Sequence, residues 1–183
     1  MSNYWKNKRV FITGSGGFIG SHLTEILLEY GAEITALVHY NSRNSFGMLE
    51  SIDAENRSNL NVVMGDIRDS YLMRNLTKDQ EYVFHLAALI GIPYSYVAPN
   101  SYISTNIQGS ANVFQACLEN GVKKLIQTST SEVYGTALYT PIDEKHPLQG
   151  QSPYSASKIA ADMTAISYAN SFDLSVAILR PFN

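Results

Sequence analysis

The sequence predicts an α/β domain built on a doubly wound parallel sheet, with helices on both faces and strands in the order 3-2-1-4-5-6. Three observations predict it. Short apolar runs of the kind that make fully buried strands alternate with segments of helical period along the whole chain. A glycine-rich turn joins the first strand to the first helix. No internal repeat, linker or low-complexity tract interrupts the alternation, so the 183 residues read as one domain, 1–183.

The elements follow in order. Arg9–Thr13 is a short apolar strand. Residues 18–30 carry apolar side chains at 19, 23, 26, 27 and 30, a helical spacing, and Gly31 stops that helix. Residues 34–38 form the second strand. Residues 41–59 are polar without a clear period and read as a loop with some helix. Residues 60–64 form the third strand, and Asp69 caps a short helix ending near Leu76. Residues 82–86 are the fourth strand. Residues 89–100, with Gly91, Pro93 and Pro99, read as an exposed loop. A long helix is expected over 101–119, closed by Asn120-Gly121, and then a fifth strand over Lys124–Thr128. Residues 131–152 read as a long loop, Pro153 starts a helix to about 170, and residues 174–179 form the sixth strand.

Composition excludes several classes. The hydrophobic fraction of 45% and charged fraction of 16% fit an ordinary globular protein. A net charge of −3 without a basic run gives no nucleic-acid footprint. No stretch approaches the ~18 apolar residues of a membrane span, and the N-terminal residues lack an apolar signal core. Cys117 is the single cysteine, set in an apolar helical segment, so no internal disulfide and no metal-spaced pair is expected. A reducing, cytoplasmic setting and no metal follow as expectations.

Chemistry gathers first at Thr13-Gly14-Ser15-Gly16-Gly17-Phe18-Ile19-Gly20, between the first strand and first helix. Glycines at 14, 16, 17 and 20 permit a sharp turn and bring backbone N–H groups close to a pyrophosphate, with the positive end of the helix, at Phe18 and Ile19, aimed at the anion. A bare glycine motif is weak, but here the required strand precedes it and the required helix follows. An acid about 20 positions on, at the end of the second strand, ordinarily bonds the ribose 2′-hydroxyl of NAD. None stands between Glu33 and Glu50; Ser42 and Arg43 occupy the region and suit a 2′-phosphate, which favours NADP. If Arg43 is only a solvated loop charge, NAD remains. Asp66, at the end of the third strand, either accepts from the adenine amino group or is a turn aspartate.

A second concentration lies in Tyr154-Ser155-Ala156-Ser157-Lys158. The spacing of four sets Tyr154 and Lys158 one turn apart on one helix face. The ammonium is expected to lower the phenol from its ordinary value of ~10, readying it for proton exchange with a substrate hydroxyl. Lys158 can also hold the nicotinamide ribose. Thr128-Ser129-Thr130-Ser131-Glu132-Val133-Tyr134-Gly135 follows the fifth strand, where ligands of such sheets bind. Thr130 can bond the reacting hydroxyl, and Glu132 is an acid where a substrate ring would lie; the ordinary alternative is loop polarity facing water.

These segments, together with Gly65-Asp66-Ile67-Arg68-Asp69, His85-Leu86-Ala87-Ala88, Asn106-Ile107-Gln108-Gly109 and Arg180-Pro181-Phe182-Asn183, resemble the extended short-chain dehydrogenase/reductase family, in its NAD(P)-dependent epimerase/dehydratase branch. The resemblance covers essentially all 183 residues. It implies Thr130, Tyr154 and Lys158 as a catalytic triad, Asp66 at adenine, and Ile67, Leu86, Ala87 and Ala88 lining the cofactor. It places Ser131 and Asn183 at the substrate. It also implies a C-terminal lobe for nucleotide and sugar, before which this chain ends, a homodimer or homotetramer paired through the helices at 101–119 and 153–170, and a role in carbohydrate biosynthesis.

Both epimerases and 4,6-dehydratases of this kind begin by oxidising a nucleotide sugar at C4. A dehydratase also needs a base for the C5 proton and an acid for the departing C6 hydroxyl, and Glu132 is placed to supply them. Dehydratases of the dTDP-glucose type carry Thr-Asp-Glu here; Thr130-Ser131-Glu132 departs from that and looks more like the GDP-mannose type or dehydratases of N-acetylglucosamine nucleotides. The expected function is therefore a nucleotide-sugar 4,6-dehydratase, with a 4-epimerase as the alternative and a non-catalytic NAD(P)-binding protein as a second.

Overall fold

A computed structural model of the chain describes residues 4–53 and 58–182. Six parallel strands form one sheet in the order β3-β2-β1-β4-β5-β6, as expected. The strands are β1 (Arg9–Thr13), β2 (Glu33–His39), β3 (Leu60–Gly65), β4 (Tyr82–His85), β5 (Lys124–Thr128) and β6 (Val176–Leu179). The helices are α1 (Phe18–Glu29), α2 (Ser70–Thr77), α3 (Ile92–Val97), α4 (Pro99–Tyr102), α5 (Ser110–Glu119) and α6 (Pro153–Phe172).

The sheet is buried on both faces because alternate side chains of its strands enter two separate cores. Val10 and Ile12 of β1 join Ile34, Ala36 and Val38 of β2 under Leu27 and Leu28 of α1. Phe11 and Leu37 point to the other face, among Met73 of α2, Val113, Phe114 and Cys117 of α5 and Ala165 of α6. A parallel strand needs a crossover to return: α1 lies in the one from β1 to β2, α2 in that from β3 to β4, α3 to α5 in that from β4 to β5, and α6 in that from β5 to β6. The sheet therefore runs outward from β1 in both directions, through β2 and β3 on one side and β4 to β6 on the other. β1 and β4 stay paired to Thr13 and His85, and the chain leaves them towards opposite edges of the sheet, which leaves a crevice outside their carboxyl ends.

Local boundaries follow from caps. The Asp69 carboxylate accepts from the Leu72 N–H at 3.0 Å and starts α2. Ser152 and Ser155 form a reciprocal capping box with Pro153 in the first turn of α6. Asp173, at a φ of 57°, ends α6 at Phe172, so that helix outlasts the expected limit and β6 begins only at Val176.

Three segments differ from expectation. Residues 89–100 are not a loop: they hold α3 and the start of α4, because Pro93 and Pro99 sit in first turns, where a proline costs no intrahelical hydrogen bond. The expected long helix over 101–119 starts earlier, at Pro99, and carries a π-helical stretch, Ile103–Gly109, before α5. A short 3₁₀ turn occupies Ser131–Tyr134 within the region read as a long loop, whereas the one at Gly47–Ser51 fits the loop with some helix expected over residues 41–59.

Candidate active site

The turn after β1 is forced into shape by steric contacts. Gly14 has a φ of +74°, and a Cβ there would stand 2.8 Å from the backbone N of Ala87. A Cβ on Gly20 would collide with the Gly14 carbonyl oxygen, so α1 can press against the turn only with glycine at that position. The N-terminus of α1 is left open: Gly17 caps it with extended backbone, no side chain bonds its N–H groups, and no acid lies in the first turn. That is a cradle of backbone donors at the positive end of a helix, and it fits the pyrophosphate of a dinucleotide.

A buried network locks this turn to β4. The Thr13 hydroxyl accepts from the Leu86 and Ala87 N–H groups, at 3.2 and 3.1 Å. Ser110 gives its hydroxyl proton to the Asn106 carbonyl at 2.6 Å, so it accepts from Nε2 of His85 at 2.9 Å. Nδ1 of His85 is then the acceptor for the Thr13 hydroxyl, 2.7 Å away. The ring is neutral with its proton on Nε2, and burial pushes its pKa down to about 3. Asn106, at the centre of the π stretch, bonds both the N–H and the carbonyl of Leu89 and reaches Ser157 of α6 at 2.9 Å. Thr13, His85 and Asn106 fall in segments that resemble the family, but their spacing in the chain carries no sign that they form one network.

On the adenosine side, Oδ1 of Asn41 accepts from the N–H groups of Arg43 and Ser45, both at 3.2 Å. This turn sets Ser42 and Arg43 on the cleft wall with Arg43 exposed. Gly47 at a φ of +65° lies against Gly16, and the Met48 N–H donates to the Gly16 carbonyl at 3.0 Å. The second turn is thus clamped to the first. Sequence reasoning missed Gly47, since a lone glycine in a polar stretch gives no such signal. Asp66 reaches the cleft, but Nε of Arg68 holds its two oxygens at 3.0 and 2.9 Å. That guanidinium, with the Arg68 N–H and His39, keeps the carboxyl below its ordinary range.

The opposite wall carries the groups expected to react. α6 begins at the cleft, which brings Tyr154 and Lys158 to its edge. Tyr102, fully buried, sets its ring edge on the Tyr154 ring with centroids 6.3 Å apart and donates to the Gly91 carbonyl. The expected lowering of the phenol is not what the structure shows. Burial raises the Tyr154 pKa, the Thr130 hydroxyl bonded to it works the other way, and the Glu132 charge adds to the rise. Lys158 gives a proton to the Thr128 carbonyl at 2.7 Å, and burial pushes its own pKa down to about 8. Glu132 is exposed on the same wall, its N–H held by the Thr130 hydroxyl at 3.2 Å.

One cleft of about 1170 Å³ gathers these groups. Gly14, Gly16, Gly17, Phe18, Ile19 and Gly20 line it from β1 and α1; Ser42, Arg43, Asp66 and Ile67 from the β2 and β3 ends. Leu86, Ala87 and Ala88 form its floor, and Thr130, Glu132, Tyr154 and Lys158 its far wall. One of the two expected substrate contacts does not join them. Ser131 does not line the cleft; it is half-buried, with its N–H donated to the Pro181 carbonyl at 3.1 Å as the chain enters the 3₁₀ turn. Asn183 lies outside the described residues. Among the described residues no cluster of acids, histidines and cysteines could hold a metal, and no helix is long and apolar enough to cross a membrane.

Comparison with known proteins agrees with this geometry. The family model described as GDP-mannose 4,6 dehydratase matches residues 11–183. The dTDP-glucose 4,6-dehydratase of Streptomyces antibioticus is 33% identical over 178 residues, covering 95% of this chain and 52% of that protein. The solved UDP-N-acetylglucosamine 4-epimerase of Methanobrevibacter ruminantium M1, in complex with UDP-N-acetylmuramic acid, superimposes with a TM-score of 0.87 at 35% identity, over 96% of this chain and 55% of that one. The dTDP-glucose 4,6-dehydratase DesIV of Streptomyces venezuelae, with NAD and TYD bound, gives a TM-score of 0.83 at 31% identity, over 94% and 55% of the two chains. The chain spans about half the length of the curated relatives it matches.

Proposed function

The chain belongs to the NAD-dependent epimerase/dehydratase family, and on that premise we propose that the protein is a nucleotide-sugar 4,6-dehydratase whose dinucleotide lies along the cleft from Arg43 to Lys158. The observation that carries the choice is Glu132: a carboxylate on the cleft wall, in the same turn as Thr130 and close enough to Tyr154 for its charge to act on the phenol. Epimerisation at C4 has no use for a base there, whereas dehydration needs one.

Bound nicotinamide supplies a reversible hydride acceptor. Thr130 orients the C4 hydroxyl, and Tyr154 takes its proton as the carbon is oxidised. Lys158 holds the nicotinamide ribose, and its ammonium favours the ionised phenol against the burial that opposes it. The resulting 4-keto group acidifies the C5 hydrogen. Glu132 takes that proton and hands one to the C6 hydroxyl, which leaves as water; return of the hydride to C6 and of a proton to C5 would restore the oxidised dinucleotide and give the 4-keto-6-deoxy sugar. Gly14 to Gly20 hold the pyrophosphate, Ile67 and Leu86 to Ala88 pack on the dinucleotide, and Asp66, fixed by Arg68, faces the adenine end.

The finer cofactor preference within this reading is NADP. What supports it is that β2 ends at His39 without an acid, while the Asn41 turn carries Ser42 and Arg43 on the cleft wall, where a guanidinium suits a 2′-phosphate. The assembly within this reading is a homodimer paired through the helices ending at Glu119 and Phe172; Ile103, Met163, Ile166 and Phe172 are exposed apolar side chains on those segments. A cytoplasmic setting suits a dinucleotide enzyme whose Cys117 is a free buried thiol. A second reading, 4-epimerase, is favoured by the likeness to the M. ruminantium enzyme.

Incubation of the full-length protein, with NAD or NADP, against UDP-, GDP- and dTDP-sugars and mass analysis of the products tests the proposal. Loss of one water from one substrate is the expected result. An isomer of unchanged mass would establish the epimerase instead, and no product from any sugar would remove both.

A further inference from the structure

Asp162 stands on α6 one turn after Lys158 and two turns after Tyr154, with no exposed surface. Its Oδ2 accepts from the Ser129 hydroxyl at 2.8 Å and from Nε of Arg180 at 3.0 Å, while Oδ1 has no hydrogen-bond partner among the described residues. Ser129 precedes Thr130 at the end of β5. Arg180 follows β6, lies over the Tyr134 ring 5.3 Å from its centroid, and precedes Pro181, which lines the cleft. The Pro181 carbonyl in turn accepts from the Ser131 N–H. One carboxylate therefore bolts the catalytic helix to both strand ends that form the wall bearing Thr130 and Glu132.

A bolt alone needs hydrogen bonds, and an amide or a hydroxyl would supply them without burying a charge. The charge has a use one turn away. Lys158 is 5% exposed and donates to a neutral carbonyl. The other titratable groups around it do not stabilise an ammonium: His85 on β4 is neutral, burial raises the Tyr154 phenol one turn earlier on α6, and Arg180, bonded to Asp162, is itself a cation. Glu132, on the same wall, is exposed to solvent. Burial works to discharge Lys158, and the Asp162 carboxylate is the group that works against it.

We propose that Asp162 is a positioning residue of the site, which fixes the Ser129–Thr130 turn and Arg180 to α6 and supplies the negative charge that keeps Lys158 an ammonium inside the protein. The proposal rests on the reading of Tyr154 and Lys158 as the proton-transfer pair.

The decisive measurement is the titration of Lys158 in full-length protein carrying ¹³C-labelled lysine, its signal assigned by its loss in Lys158→Met. The midpoint near 8 in the natural protein is expected to fall by about one pH unit in Asp162→Asn and to return in Asp162→Glu. An unchanged midpoint in Asp162→Asn overturns the proposal, whatever happens to thermal stability. Should Asp162→Asn not fold, Arg180→Gln tests the same field from the other side: with the competing cation gone the midpoint rises, and no movement overturns the proposal. Single-turnover reduction of bound dinucleotide by the nucleotide sugar should lose its alkaline limb at the same shifted pH. If the Lys158 midpoint moves but no sugar reduces the dinucleotide in the natural protein, the dehydratase reading fails while the action of Asp162 on Lys158 stands.

Discussion

A carboxylate on the wall of a cleft acts on whatever carbon or oxygen is brought within reach, so Glu132 separates the two halves of a dehydration. Removing its basicity leaves the Thr130 hydroxyl and Lys158 in place and takes from Tyr154 only a charge that raises the phenol. Glu132→Gln is therefore expected to reduce the bound dinucleotide on mixing with substrate, read at its near-ultraviolet absorbance, yet to release the 4-keto-6-deoxy product ~10²–10⁴-fold more slowly. An equal loss in both steps would move Glu132 out of the elimination step. Lys158 carries a second prediction. Its folded pKa of about 8 lies below its ordinary value of 10.5, so the folded protein binds fewer protons than the unfolded chain between those limits. The burial penalty is complete below pH 8 and is relieved as pH rises to 10.5, by up to ~3 kcal/mol. Urea unfolding of the natural protein and of Lys158→Met at pH 7, 9 and 10 should show the gap between them closing in favour of the natural protein, the other titrating groups cancelling in the difference. Tyr154 and Lys158 were legible as a pair because a helix converts a spacing of four into adjacency. The direction of the phenol's shift was not, because burial by Tyr102 and the nearby Glu132 charge come from elements distant in sequence.

At the scale of the element, the cradle depends on how closely α1 approaches the turn before it. Gly20→Ala adds a methyl group that would overlap the Gly14 carbonyl, a backbone atom that cannot swing aside as a side chain can. The first turn of α1 must shift and its N–H groups lose their aim. Dinucleotide affinity should fall at least ~10-fold, equivalent to ~1.4 kcal/mol, in isothermal calorimetry; affinity within twofold of the natural protein would show that the turn absorbs the methyl group. The glycine spacing announced this packing because only glycine satisfies it and because a strand and a helix flank it. Periodicity likewise announced β1 to β6, α1 and α6. It did not announce α3, since Pro93 and Pro99 read as breakers and act as helix starts. The π stretch at Ile103–Gly109 is equally silent: it shifts one turn of backbone so that Asn106 faces Leu89 and Ser157, a demand set by the neighbouring helix and loop.

The whole molecule has a seam. On the proposed reading, β1, β2 and β3 with α1 carry the donors for the pyrophosphate and adenosine, while β4, β5 and β6 with α6 carry the proton-transfer groups. Across the described residues the halves meet at the β1–β4 pair, in the Thr13–His85–Ser110 chain behind it, and in the core that Phe11 and Leu37 share with α5 and α6. A dinucleotide lying from Ser42 and Arg43 to Lys158 spans that seam, so its binding energy adds to the folding of both halves at once. Such a ligand stabilises by mass action, about 2.7 kcal/mol at a hundredfold excess over Kd. The thermal midpoint of the protein should therefore climb with dinucleotide concentration, and at equal concentration NADP should raise it further than NAD. Arg43→Ala should abolish that difference while preserving the NAD response, because an exposed guanidinium at the 2′ position recognises the phosphate and contributes nothing to the seam itself. If NAD gives the larger shift in the natural protein, Arg43 is a solvated charge, and 2′-hydroxyl recognition falls to the backbone of the Asn41 turn, which is already held in place by the Asn41 side chain.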